Sequence, residues 1–278
     1  MKKIFNIVLF VLISVNLSAQ KRLVIAHTND THSQIEPTSK KASKYADQGG
    51  IARREALLKQ LRQENPSLLL FDDGDFCQGT PYFNAFKGEV EIEMMNRLKY
   101  NAGTLGNHEF DNGIASLANV LKRAKYPILA SNYDVSKTLL KTLVKLYTII
   151  SSNGLKVGVI GICVNPQGLI PAKKYDGMSY LQPIETANRY AELLKIEKKC
   201  DVVIVLSHLG YAYEPWENKI GDRELAAKSR NIDVILGGHS HTFLEDAVQV
   251  ENLDGKQVVI NQTGKMGLFV DKIELEWR

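Results

Sequence analysis

Val202-Val203-Ile204-Val205-Leu206-Ser207-His208 decides the fold class. A short, β-branched apolar run reads as a buried strand, and a histidine arrives just past its end. The same event recurs along the chain. Asp30-Thr31-His32, Gly106-Asn107-His108-Glu109 and Gly238-His239-Ser240-His241 each follow an apolar run, and Gly74-Asp75 follows Leu68-Leu69-Leu70-Phe71. Five of the six histidines are accounted for in this way.

Further candidate strands are Leu23–Ala26, Leu68–Phe71, Ala102–Leu105, Ile128–Ala130, Val157–Ile162, Val234–Leu236, Val258–Ile260 and Leu268–Leu275. Segments of helical period separate them. Ile114, Leu117, Ala118 and Leu121 lie on one helical face, as do Ala187, Tyr190, Ala191 and Leu194. Another helix is expected from Ile51 after Gly49-Gly50, stopping near Pro66, and a shorter one over Glu91–Leu98. This alternation predicts an α/β fold with helices covering the sheet faces. Asn165–Pro183, with three prolines and two glycines, is the longest irregular segment and a candidate rim of a pocket. Val258–Ile260 and Leu268–Leu275, joined through Gly264 and Gly267, read as a closing antiparallel hairpin.

The N-terminus has the pattern of an export signal. Lys2 and Lys3 precede an apolar stretch, Ile4 to Leu17, and Leu17-Ser18-Ala19 offers a small-residue cleavage site. That stretch is shorter than the roughly 20 residues needed to span a bilayer. The expectation is a signal peptide over 1–19 and one catalytic domain over 20–278, periplasmic or secreted, without stable membrane insertion after cleavage. Without Lys2 and Lys3 the charge is about +2, too small and scattered to argue for a nucleic-acid partner. Cys77, Cys163 and Cys200 have neither disulfide-framework nor metal-ligand spacing and read as core residues.

The strand ends of an α/β sheet converge on one crevice. Residues i and i+2 of an extended segment point the same way, so both members of Asp30/His32 and of His239/His241 can face one cluster. Carboxylate and imidazole groups gathered there are what a two-metal site requires, and Asp75 is the candidate bridge, because Gly74 permits a tight turn before it. The pattern predicts a metal-dependent phosphoester hydrolase.

At these residues the chain resembles the calcineurin-like metallophosphoesterases, motif by motif and in order. Thr28-Asn29-Asp30, Gly49-Gly50-Ile51-Ala52-Arg53, Gly106-Asn107-His108-Glu109-Phe110-Asp111, Ser207-His208-Leu209-Gly210 and Gly237-Gly238-His239-Ser240-His241-Thr242 are similar to the bacterial periplasmic 5′-nucleotidase branch. The resemblance runs from about Leu23 to the C-terminus. It implies a four-layer αββα sandwich, with Asp30, His32, Asp75 and His241 holding one divalent ion and Asp75, Asn107, His208 and His239 the other. It also implies a His108–Asp111 dyad that stabilises the transition state or protonates the leaving group. The nucleophile in such chemistry is a water whose pKa the metals lower. Zn²⁺, Mn²⁺, Fe and Co²⁺ all suit the donor set.

Complete members of that branch carry a second, nucleotide-binding domain, and the expectation is a catalytic domain without it. The substrate is therefore expected to be a small phosphoester, first of all a 5′-nucleotide, and a separately encoded C-terminal-type domain is a candidate partner. Cyclic-nucleotide phosphodiesterases and nucleotide-sugar diphosphate hydrolases share the motifs and stay as alternatives. A non-catalytic binding subunit of a split nucleotidase is the alternative of another class. It would tolerate His108→Ala, and a hydrolase would not.

Overall fold

The structure, a computed structural model, describes residues 21–42 and 44–277. The expected leader, residues 1–19, lies outside the described residues. Strands β1 (Lys21–Thr28), β2 (Leu69–Asp72), β3 (Ala102–Thr104) and β4 (Ile128–Leu129) are followed by the short β5 (Tyr133–Asp134) and β6 (Val144–Lys145). Next come β7 (Tyr147–Ser152), β8 (Leu155–Cys163), β9 (Ser179–Tyr180) and β10 (Val202–His208). The last four are β11 (Val234–Leu236), β12 (Val248–Glu251), β13 (Gln257–Asn261) and β14 (Asp271–Trp277). Helices α1 (Ile51–Glu64), α2 (Pro81–Phe86), α3 (Glu89–Leu98), α4 (Gly113–Leu121), α5 (Pro183–Glu192) and α6 (Asp222–Ala227) lie between them.

Two six-stranded sheets form, in the orders β14-β1-β2-β3-β4-β6 and β12-β13-β11-β10-β8-β7. Period-two alternation builds four layers from them. Leu23, Ile25, Leu69 and Phe71 of the first sheet share one core with Val157, Val159, Ile204 and Leu206 of the second. The opposite faces, Val24, Ala26 and Leu70, pack on Leu58 of α1, Ile92 of α3 and Leu117 of α4. Ile160, Ile162, Val203 and Val205 pack on Ala187 and Ala191 of α5 and Leu225 of α6. The architecture is the αββα sandwich. Gly161 brings the sheets together: a Cβ there would fall 2.4 Å from the Leu129 carbonyl oxygen.

One expectation fails. Gln257–Asn261 and Asp271–Trp277 do not form a hairpin. β13 runs parallel to β11 and antiparallel to β12, whereas β14 pairs antiparallel with β1 in the other sheet, Lys21 opposite Trp277. Closure on β1 covers what would otherwise be an open edge of the first sheet. The connecting segment crosses from sheet to sheet past the loop after β1, where the Met266 N–H donates to the Asp30 carbonyl at 2.7 Å. Among the described residues no helix is long and apolar enough to cross a membrane.

Candidate metal centre

The parallel strands β1, β2, β3, β10 and β11 end on one edge, where both sheets deliver their loops to a common crevice. The loops after β1 and β2 are zipped together: Asp30 N–H donates to Gly74 O at 2.9 Å and His32 N–H to Asp75 O at 3.0 Å. From the second sheet, the His239 N–H donates to the Asp30 carboxylate at 2.9 Å, fastening the two halves across the crevice. Asp30, His32, Asp75, His239 and His241 all have left-handed backbone, with φ between 46° and 75°. Such non-glycine conformations cost about 1–3 kcal/mol each and persist where surrounding structure enforces them.

Three sets of donor atoms result, each set lying within 4.8 Å: Asp30–His32–His241, His32–Asp75–His108 and Asp75–His208–His239. His32 Nε2 is 2.9 Å from His241 Nε2, which is 3.4 Å from Asp30 Oδ1. His208 Nε2 is 3.1 Å from Asp75 Oδ2. Donors bound at about 2.0–2.2 Å to one cation lie roughly 2.9–3.5 Å from one another, so these edges have the size of a coordination polyhedron. Six of the seven expected ligands, Asp30, His32, Asp75, His208, His239 and His241, are thus brought together with His108, and Asn107 precedes His108 in the loop after β3.

Local hydrogen bonding fits the donors to cations. The His208 Nδ1–H donates to the Asp73 carbonyl at 2.7 Å, the tautomer that aims an Nε2 lone pair inward. That Nε2 and Asn107 Oδ1 are buried and make no hydrogen bond. Gly106 keeps the space open, since a Cβ there would sit 2.1 Å from Asp75 Oδ1 and 2.6 Å from His208 Nε2. The electrostatics agree. Burial disfavours charge on His208, but Asp75 and Asp30 outweigh it and push the imidazole up to about 10. Burial would raise the Asp75 carboxyl, yet His208, His108 and His32 hold it below the usual carboxylate range. His239 is lowered to about 4 by burial and by the charge of His208. Two buried carboxylates in this crevice require positive charge beside them, which is what drives His208 toward its imidazolium form, while the lowered His239 and His32 keep lone pairs to offer.

His108 belongs to one of these sets and also to a dyad. Its Nδ1–H donates to Asp111 Oδ2 at 2.9 Å, and that bond, working against burial, pushes the imidazole up to about 9. Lys174, on the Asn165–Pro183 segment, donates through Nζ to the Asp111 carbonyl.

Several supporting residues escaped the sequence reading. Glu109 accepts the backbone N–H groups of Asp75, Cys77 and Gly106 at 3.0, 3.0 and 2.6 Å. It fixes two ligand-bearing loops at once, although its place in the motif identifies no such task. Asn29 donates to Asp30 Oδ2 at 2.6 Å and accepts the Thr263 N–H at 2.7 Å. His27 is fully buried, with Nδ1 2.6 Å from Asp73 Oδ2 and Nε2 3.1 Å from Asn261 Oδ1. Burial lifts the Asp73 carboxyl and lowers His27 to about 4, so this pair is held neutral beneath the site. The three cysteines are buried free thiols.

The profile of the calcineurin-like phosphoesterases matches residues 23–243. The chain belongs to that family. It is similar to the 5′-nucleotidase of Homo sapiens, 33% identical over 276 residues covering 92% of this chain and 46% of the relative. The snake venom 5′-nucleotidase of Crotalus adamanteus is 33% identical over 270 residues, 89% of this chain and 44% of the relative. The crystal structure of a 5′-nucleotidase precursor from Thermus thermophilus superposes with a TM-score of 0.83 at 35% identity, covering 92% of this chain and 52% of that one. The chain therefore spans a little less than half the length of the curated relatives it matches.

Proposed function

We propose that this phosphoesterase is a dinuclear, metal-dependent phosphomonoesterase acting on 5′-nucleotides outside the cytoplasm. Asp30, His32, Asp75 and His241 would hold one divalent ion and Asp75, Asn107, His208 and His239 the other. When bound, the ions supply Lewis acidity that activates water and offsets charge on the phosphoryl oxygens. The observation that carries the reading is the Asp30–His32–His241 set and the Asp75–His208–His239 set linked through the His32–Asp75–His108 set, whose His108 also pairs with Asp111.

The chain's own residues complete the chemistry. Asp111 fixes the His108 ring and stabilises its imidazolium form, leaving Nε2–H to donate toward the substrate. From there it can hydrogen-bond a phosphoryl oxygen as charge develops, or pass its proton to the departing ester oxygen. The Asp75 carboxylate also holds the His108 backbone N–H at 2.9 Å, setting the dyad's distance from the donors. The products are inorganic phosphate and the free alcohol. The 5′-nucleotide assignment is supported by the relatives' activity, and the export assignment by the leader pattern of residues 1–19. The greater length of the relatives supports a further nucleotidase-type domain acting with this one.

Hydrolysis by residues 20–278, loaded with Zn²⁺ or Mn²⁺ and read as inorganic phosphate from the monoesters and by chromatography of the products from the cyclic and diphosphate substrates, tests the proposal. AMP, UDP-glucose, a 2′,3′-cyclic nucleotide and p-nitrophenyl phosphate would be compared, with His108→Ala as control. AMP turnover that disappears in the variant is expected. Preference for the cyclic or diphosphate substrate would replace the monoesterase assignment, and hydrolysis of none of the four would refute it.

A further inference from the structure

A cavity of about 20 Å³ lies between α1, α3 and the loop that carries His32. Arg54 of α1 and Glu91 of α3 stand on its wall with Thr31, Ser33, Phe76 and Met95. Both charged residues are buried, 6% and 3% exposed. Arg54 Nη2 reaches the Gly267 carbonyl at a long 3.4 Å. Arg54 Nε and Glu91 Oε2 make no hydrogen bond, and so do not meet each other.

A buried cation and a buried carboxylate each need a partner. The two orphaned atoms are complementary, since Nε–H donates and Oε2 accepts. A water accepts through its oxygen and donates through its hydrogens, so it matches both at once. About 10–15 Å³ of such space is enough for one. Ions fit less well, because an anion would face Glu91 and a cation would face Arg54.

The same carboxylate holds the His32 loop. Glu91 Oε1 accepts the Ser33 hydroxyl. Ser33 Oγ lies 2.7 Å from Thr80 Oγ1, which donates to the Ser33 carbonyl at 3.0 Å. His32 and Ser33 are consecutive non-glycine residues with φ of 46° and 57°, a conformation that persists where its surroundings enforce it. We propose that the cavity holds one ordered water joining Arg54 to Glu91, and that this buried joint makes both of them positioning residues for His32. The second claim rests on the metal-site reading, and the first does not.

A crystal structure of the chain is expected to show a water within about 3.2 Å of both Arg54 Nε and Glu91 Oε2. Arg54→Met, Glu91→Gln and the double variant test whether the pair acts together. The double variant should lose less in denaturant midpoint than the sum of the two singles. Either no water at this place or additive losses would overturn the joint. The positioning is read by calorimetric titration of the metal-free chain with Mn²⁺. Ser33→Ala, a small change on the same link, is expected to weaken one of the two binding steps by about tenfold or more and spare the other. Glu91→Ala should do the same, whereas Glu91→Gln keeps an acceptor for the Ser33 hydroxyl and should largely retain the step. Unchanged affinities in both alanine variants, or equal weakening of both steps, would overturn the positioning. A wild-type chain that binds no metal, with the water and the coupling present, would overturn the metal-site reading and with it the positioning, and leave the joint standing.

Discussion

Asp75 Oδ1 accepts the backbone N–H of His108 at 2.9 Å, while its other oxygen lies 3.1 Å from His208 Nε2. One carboxylate therefore faces the donor sets and sets the position of the dyad. Asp75→Ala is expected to release both metals, read by elemental analysis, and to abolish turnover. Asp75→Asn keeps an acceptor for the His108 N–H but removes the charge, and should lose the metals as well. Two retained ions with full activity in either variant would place the bridge elsewhere.

The dyad acts as a unit, so its members should not be additive. His108→Ala is expected to lower kcat by about 10²-fold or more, the scale of a lost acid or charge stabiliser, with metal content unchanged. Asp111→Ala should cost less, about tenfold, because the imidazole remains but is no longer oriented. Adding Asp111→Ala to His108→Ala should then change kcat little. A multiplicative loss in the double variant would mean that Asp111 works through a different partner.

Glu109 should matter more to the architecture of the site than its silence in the chemistry suggests. An amide at this position presents N–H groups to backbone donors that now meet a carboxylate, so Glu109→Gln leaves at least one buried N–H unsatisfied. The expected cost is about 1–3 kcal/mol in denaturant unfolding, with weaker metal affinity. Unchanged stability and metal content would show that the two loops hold their geometry without it.

Asp222 gives a pH dependence. It is fully buried, accepts the Ser207 hydroxyl at 2.5 Å, and its second oxygen makes no hydrogen bond. Burial, only partly offset by that bond, pushes the carboxyl up to about 8. The folded state then holds a proton that the unfolded state has lost, so this contribution is complete below the unfolded pKa near 3.8 and fades as pH rises toward 8. Asp222→Asn should flatten the decline in stability between pH 5 and pH 8, a slope of at most about 1.4 kcal/mol per pH unit. Denaturant midpoints at the two pH values, with metal held constant, would measure it. Parallel pH profiles for wild type and variant would assign the carboxyl an ordinary pKa.

Legibility in the sequence followed burial. β2, β8, β10 and β11 are covered on both faces, so their apolar runs announce them, and the ligand-bearing residues stand just beyond those runs. The strands that escaped notice in the two large sheets, β6, β7 and β12, are all edge strands. β12 alternates half-buried and exposed residues, a weaker signal than a continuous run. The helix over Ile51–Glu64 was readable from its glycine start and proline stop, whereas α2 and α6, six residues each, are too short to display a period.

By itself the sequence determined the strand ends and which donor types stand at them, because both are local properties: a run of side chains that must leave water, then a glycine or polar turn. Only the tertiary structure decided that β14 closes on β1, that Glu109 and Asn29 hold the loops, and that Arg54 and Glu91 share a cavity. Each of those depends on partners far away in the chain. Edge pairing, the meeting of buried donors with acceptors, and the space left between packed elements exist only once the chain has folded.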